Sequence, residues 1–154
     1  MVYNSFKNFS DPFTIKDLSY CYEKIFLIRY FEETILSLFT KGRLNGTTHA
    51  YIGQESNAVA VSSCITNDDV IFSNHRCHGH FLSFTNNPKD LMAEMMGLES
   101  GVCGGRGGSQ HLHFQNFFSN GVQGGIVANA VGAGLAEKKN KSGNIVLVFL
   151  GDGT

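Results

Sequence analysis

Apolar residues recur at helical spacing early in the chain, at Leu18, Tyr22, Ile25, Ile28, Phe31, Ile35 and Leu38. Glu23, Lys24, Arg29, Glu32 and Glu33 fall between them, on what the same spacing makes a polar face. Thr14 with Asp17 reads as a shortened capping box, and Gly42 as the stop. A long amphipathic packing helix is the expectation. Polar, Gly-punctuated residues 45–53 predict a loop. Residues 54–65, rich in Ala, Val and Ser, predict a second helix. Asn67 and Asp68 mark a turn, and the apolar run 70–72 a short buried strand. Asn87 and Pro88 look like an N-cap and first helical position. That helix carries Leu91, Met92, Met95 and Met96 and stops at Gly97, its methionines read as core filler.

Residues 101–120 show no useful period, and their Gly, His and Phe content predicts a long functional loop. Residues 124–139 read as a helix rich in small side chains. Gly132 and Gly134 weaken it, so a packing reason is expected for both. Asn144 marks a turn, and the continuous apolar run 145–150 predicts a central parallel strand. Helices and strands in this order predict an α/β fold, a parallel sheet flanked by helices. Ligands of such sheets bind beyond the carboxyl ends of the strands.

Composition narrows the class. Of 154 residues, 42 % are hydrophobic and 16 % charged, which is a globular mix. Twelve basic residues face 13 acidic ones, so no basic excess points to nucleic acid or to an anionic membrane surface. No apolar run is long enough for a bilayer span. Neither a signal peptide nor an Arg-rich transit segment is legible at the start, and the cysteines (21, 64, 77, 103) form no CxxC. A cytoplasmic chain with free thiols is the expectation. Most of the 18 glycines lie in the second half, which suggests backbone brought close to a ligand or to other backbone.

Four clusters could carry chemistry. Asp152, between Gly151 and Gly153 at the end of the last strand, can reach a diphosphate through a divalent metal, though a plain turn has the same composition. The run from Asn74 to His80 comes after a strand, and its Arg76 and histidines suit phosphate oxygens. Zinc is the alternative there, but the Cys and His spacing is too tight for known finger patterns. A polar loop bonded to its own backbone is the third. The Gly-dense run 104–111 fits neither a dinucleotide fingerprint nor a phosphate loop; it reads as a mobile loop delivering His111 to a site. Asn120-Gly121-Val122-Gln123-Gly124-Gly125 leads into a helix, whose N-terminus favours an anion or a polar ring edge.

In this order the motifs resemble those of the alpha subunits of thiamine-diphosphate-dependent 2-oxo acid dehydrogenases, which act on pyruvate, branched-chain 2-oxo acids or acetoin. The blocks that match are residues 27–33, His49 with Gly53-Gln54-Glu55, His75-Arg76-Cys77-His78-Gly79, the run 105–111, and Gly151-Asp152-Gly153. The resemblance implies the amino-terminal part of a thiamine-diphosphate-binding domain, spanning 1–154 and cut after the Gly-Asp-Gly motif. It implies that Asp152 coordinates Mg²⁺, with Gly153 and Thr154 near the diphosphate and Arg76 binding it. His75 stands where the family has Tyr, and Gln110 where it has Met. Gly121 and Gln123 would offer backbone groups to the aminopyrimidine ring. His111 would assist transfer of the reacting group, and His49 would lie near the substrate. The implied activity is oxidative decarboxylation of a 2-oxo acid with acyl transfer to a lipoyl group. It calls for a beta subunit and a lipoyl-bearing acyltransferase.

The ligand that completes the metal shell and most of the sheet would lie downstream, so these residues alone are expected to be inactive. The strand at 145–150 would also lack a neighbour and present an aggregation-prone edge. A rival of another class is a short chain that binds a partner subunit or ligand without catalysis; a third reading is a different thiamine-diphosphate enzyme, such as a split transketolase. The latter would lack the His75-Arg76 and Ser109-His111 blocks.

Overall fold

The computed structural model describes residues 15–44 and 46–154. Helices α1 (Ile15–Thr40), α2 (Glu55–Ser62), α3 (His78–Thr85), α4 (Pro88–Met95) and α5 (Val127–Asn140) surround a four-stranded sheet. Its strands are β1 (Val70–Ser73), β2 (His113–Phe114), β3 (Phe117–Ser119) and β4 (Val146–Val148), in the order β2-β3-β1-β4. β3, β1 and β4 run parallel, with Phe72 opposite both Phe118 and Val148; β2 is antiparallel to β3. The fold class is therefore the α/β one expected. None of the described helices is long and apolar enough to cross a membrane.

Alternation along the strands sorts the core into two layers. Ile71 and Phe117 point to the side built by α1 to α4, where they join Ile28, Ile35, Phe81 and Leu91. Val70, Phe72, Phe118, Val146 and Val148 point the other way, against Ile126 and Ala130 at the start of α5. Helices thus cover both faces, and the central strands read as continuous apolar runs for that reason.

Several expectations need correction. Thr14 lies outside the described residues, so the capping box is not placed. On α1, Ile28, Phe31 and Ile35 are buried, but Leu18 and Tyr22 are 57 % and 68 % exposed. Conversely Glu32 and Lys24, assigned to the polar face, are buried, because α3 supplies Glu32 with a partner and Lys24 folds over the Tyr20 ring. Burial pulls the Lys24 pKa down to about 8.

Helix α3 is an addition. Residues 78–83 are all buried, so no polar face marked it in the sequence. Gly79 belongs there because any Cβ would overlap the Tyr51 ring. The stretch read as one loop contains the β2–β3 hairpin, whose tight turn has Gln115 at φ 53°. β4 does not lack a neighbour: it pairs with β1, and the Phe149 N–H extends the ladder to Phe72 O at 2.9 Å. Its other edge is unpaired among the described strands. For Gly132 no packing reason appears, since an added Cβ meets nothing within 4 Å; at Gly134 it meets only Val146, at 4.0 Å.

Other expectations hold. Asn87 caps α4, its Oδ1 accepting from Asp90 N at 3.3 Å, and Pro88 opens the helix. Gly97 ends that turn at φ 71°. Met95 is buried and Met92 packs on the core, but Met96, expected to do the same, is 46 % exposed.

Candidate functional site

Parallel pairing puts the carboxyl ends of β1 and β4 side by side, so the segments leaving the two strands emerge at one edge. Asn74 and His75 leave β1; residues 149–154 leave β4. The segment after β3 returns here as well, with the Asn120 N–H bonded to Ser73 O at 3.2 Å. It turns through Gly124 (φ 74°) into α5. Together they line an open cleft that includes Asn74, His75, Gln123, Asp152, Gly153 and Thr154. A Cβ on Gly153 would stand 3.3 Å from Gln123 Oε1, so the glycine permits that approach. Asp152 is exposed.

Of the residues singled out in the sequence, His75, Gln123, Asp152, Gly153 and Thr154 come together in this cleft. His49 stands behind His75, their rings edge to face with centres 4.8 Å apart. Arg76 is not on the cleft lining: its Nη1 donates to Ala50 O at 2.7 Å, tying the β1–α3 turn to the loop before α2. Gly121 lies off the lining too, packed against the Gln110 side chain. His111 is exposed, and its N–H is bonded to Gly107 O at 3.1 Å.

The loop carrying His111, expected to be mobile, is wrapped around a buried carboxylate. Glu94 of α4 is fully buried. Its Oε2 accepts from the N–H groups of Cys103 (2.7 Å) and Gly105 (2.9 Å). Its Oε1 accepts from those of Gly107 (2.6 Å) and Gly108 (3.3 Å). N–H groups of one loop converging in this way form an anion-binding nest, here filled by the protein itself. The glycines let the backbone close in. A Cβ on Gly101 would lie 2.5 Å from Glu94 Cα, and one on Gly105 2.5 Å from the Gly97 carbonyl carbon. Sequence reasoning missed Glu94, although an acid on the apolar side of α4, beside Leu91 and Met95 and just before a Gly-dense stretch, was a readable signal.

The histidine cluster also looks inward. His78, fully buried, places Nδ1 2.8 Å from Glu32 Oε1 and Nε2 3.0 Å from Ser109 O. His80 sits between Ser73 Oγ (2.8 Å) and Tyr51 Oη (2.9 Å), its ring stacked on Phe149. Hydroxyls rotate to suit either tautomer, so a neutral ring is well served, and burial pulls the His80 pKa down to about 3. Burial likewise pushes the Cys77 thiol up to about 12. His78 and Cys77 tie α3 to α1 and to the Gly-rich loop, and His80 ties it to β1 and to the loop before α2; among the described residues no set of three or more His, Cys, Asp and Glu converges as metal ligands would.

Comparison with known proteins decides the family. Residues 23–154 match the family described as Dehydrogenase E1 component. The chain belongs to this family. Among its relatives is the alpha subunit of acetoin:2,6-dichlorophenolindophenol oxidoreductase from Bacillus subtilis, 37 % identical over 135 residues. That alignment covers 86 % of this chain and 40 % of the relative. The mitochondrial pyruvate dehydrogenase E1 component subunit alpha of Dictyostelium discoideum is 36 % identical, over 81 % of this chain and 33 % of its own length. The Zymomonas mobilis pyruvate dehydrogenase E1 component subunit alpha is 35 % identical, over 86 % and 39 % respectively. This member of the E1 family thus spans about two fifths or less of the length of these curated relatives.

Proposed function

We propose that this chain forms the amino-terminal part of the alpha subunit of a heteromeric 2-oxo acid dehydrogenase, and that its strand-end cleft holds thiamine diphosphate with Mg²⁺. One observation carries the reading: an exposed carboxylate, Asp152, shares a cleft with Gln123 and Thr154 at the carboxyl ends of two parallel strands. The donor set fits. Mg²⁺ takes oxygen ligands, and one or two carboxylates with phosphate oxygens usually suffice on the protein side. Asp152 would hold the metal, with Gly153 and Thr154 beside the diphosphate. Arg76 would leave Ala50 O to reach it, and His75 would flank it. Gly121 and Gln123 would face the aminopyrimidine ring through their backbone groups. When bound, thiamine diphosphate supplies the nucleophilic carbon and the electron sink that let a 2-oxo acid lose carbon dioxide. His49 and His111 would serve the substrate side, where a His can hold or move a proton near neutral pH.

A pyruvate-like acid is the first substrate. Acetoin is the second, favoured by the Bacillus relative, whose name specifies it. A beta subunit would complete the site, and a lipoyl-bearing acyltransferase would receive the acyl group. Titration calorimetry on the subunit assembled with its beta partner tests this. Thiamine diphosphate should bind only with Mg²⁺ present. Losing an outer-shell group costs a metal site about 10- to 100-fold, so Asp152→Ala, which removes a direct ligand, should cost at least that. Unchanged affinity in that variant would remove the metal assignment.

A further inference from the structure

The two positions at which this chain departs from the family pattern meet on one ring. Gln110 Nε2 lies 2.9 Å from His49 Nδ1. On the other side of His49 stands the His75 ring, edge to face at 4.8 Å. The Gln110 side chain is wedged in place: its amide oxygen abuts Gly121, where any Cβ would overlap it. Its own carbonyl is held by the Ser119 hydroxyl at 2.8 Å.

We propose that Gln110 is a positioning residue that fixes His49 as its Nε2–H tautomer and so presents His49 as a hydrogen-bond donor beside the cleft. The reason lies in the donors and acceptors. An amide NH₂ can only donate, so the nitrogen it meets must carry a lone pair. With Nδ1 bare, a neutral imidazole has its proton on Nε2. The surroundings keep the ring neutral. Burial, then His75, Arg76 and His78, hold the His49 pKa below its ordinary value, so the charged groups that act on it are all basic. Methionine, the residue of the family pattern, has no donor to offer Nδ1. What Nε2–H would meet is a carbonyl or hydroxyl oxygen of a substrate, and that part alone rests on the function proposed above. A donor of this kind serves a ketone, hydroxyl or carboxylate oxygen.

Nitrogen-15 spectra of the six histidines in the full chain test the tautomer directly, with neither cofactor nor substrate present. His49 should show an unprotonated Nδ1 and a protonated Nε2. Gln110→Glu places an acceptor against Nδ1. It should move the proton there and raise the His49 titration midpoint by about one unit or more, as an adjacent opposite charge does. Gln110→Met should shift the Nδ1 signal toward the average of the two tautomers, and serves alone if the Glu variant does not fold. A protonated Nδ1 in the native chain, or an Nδ1 signal unmoved by these substitutions, overturns the proposal. The readout is independent of cofactor binding: a cleft that takes no thiamine diphosphate would sink the function and leave the tautomer standing.

Discussion

Two Gly-rich regions of this molecule are built alike and used in opposite ways. The nest at residues 101–108 points its N–H groups at a carboxylate from within the protein, and Glu94 satisfies four of them. The turns at residues 121–125 and 151–153 border an open cleft, and Asp152 at its rim is exposed. A Gly-rich anion nest is therefore no evidence of a ligand until its interior has been checked for a resident side chain. In one region glycine lets the chain pack on itself. In the other it leaves room beside a free carboxylate.

Substitutions should separate the two. Gly105→Ala sets a Cβ 2.5 Å from the Gly97 carbonyl carbon at a residue with φ 74°. Backbone meets backbone there and neither yields, so a loss of about 3 kcal/mol is expected in urea unfolding. Glu94→Gln turns an NH₂ toward two N–H donors. It should cost on the order of 2 to 3 kcal/mol and open the loop to trypsin at exposed Arg106. A stable Glu94→Gln variant that resists trypsin would remove the nest's structural role.

Acid should strike a third place, the buried His80 between Ser73 and Tyr51. His80 titrates at about 3 when folded, against an ordinary 6.5. Between those values the unfolded chain takes up a proton that the folded chain refuses, so stability falls as pH falls through 6.5. The loss from pH 8 to pH 5 should be about 2 kcal/mol, and His80→Gln, which keeps a polar group but does not titrate, should flatten the slope. Gly132→Ala, on an open helix surface, should stabilise by about 1 kcal/mol. A loss there instead would reveal a partner packed on α5. Smallest of all, Asp152→Ala should leave the midpoint within about 0.5 kcal/mol while removing magnesium-dependent cofactor binding.

Legibility in the sequence divides along the same line. The cleft residues stand at strand ends with glycines beside them, and the apolar run of β4 pointed straight at Asp152. The order of motifs was enough to expect the family. The interior was harder to read. Glu32 and Lys24 looked like a solvent face because spacing records only the period of a helix, and the partner that buries Glu32 lies 46 residues away. Helix α3 is buried almost all round and so has no polar stripe. The β2–β3 hairpin has strands of two and three residues, too short for alternation to register. Arg76 was read by its charge as a phosphate ligand, while its nearest acceptor is a backbone carbonyl of a loop that sequence distance conceals.

β1 pairs with β4 across 76 residues, Val70 opposite Val146, and the Asp69 carboxylate accepts from the Ile145 N–H at 2.7 Å over the same separation. On a ribosome adding roughly 5 to 20 residues per second, β1 waits about 4 to 15 s for that neighbour. During the wait its apolar rungs are open to any other strand in reach. The order of synthesis thus leaves the β4-facing edge of β1 open longest among the described strand pairings.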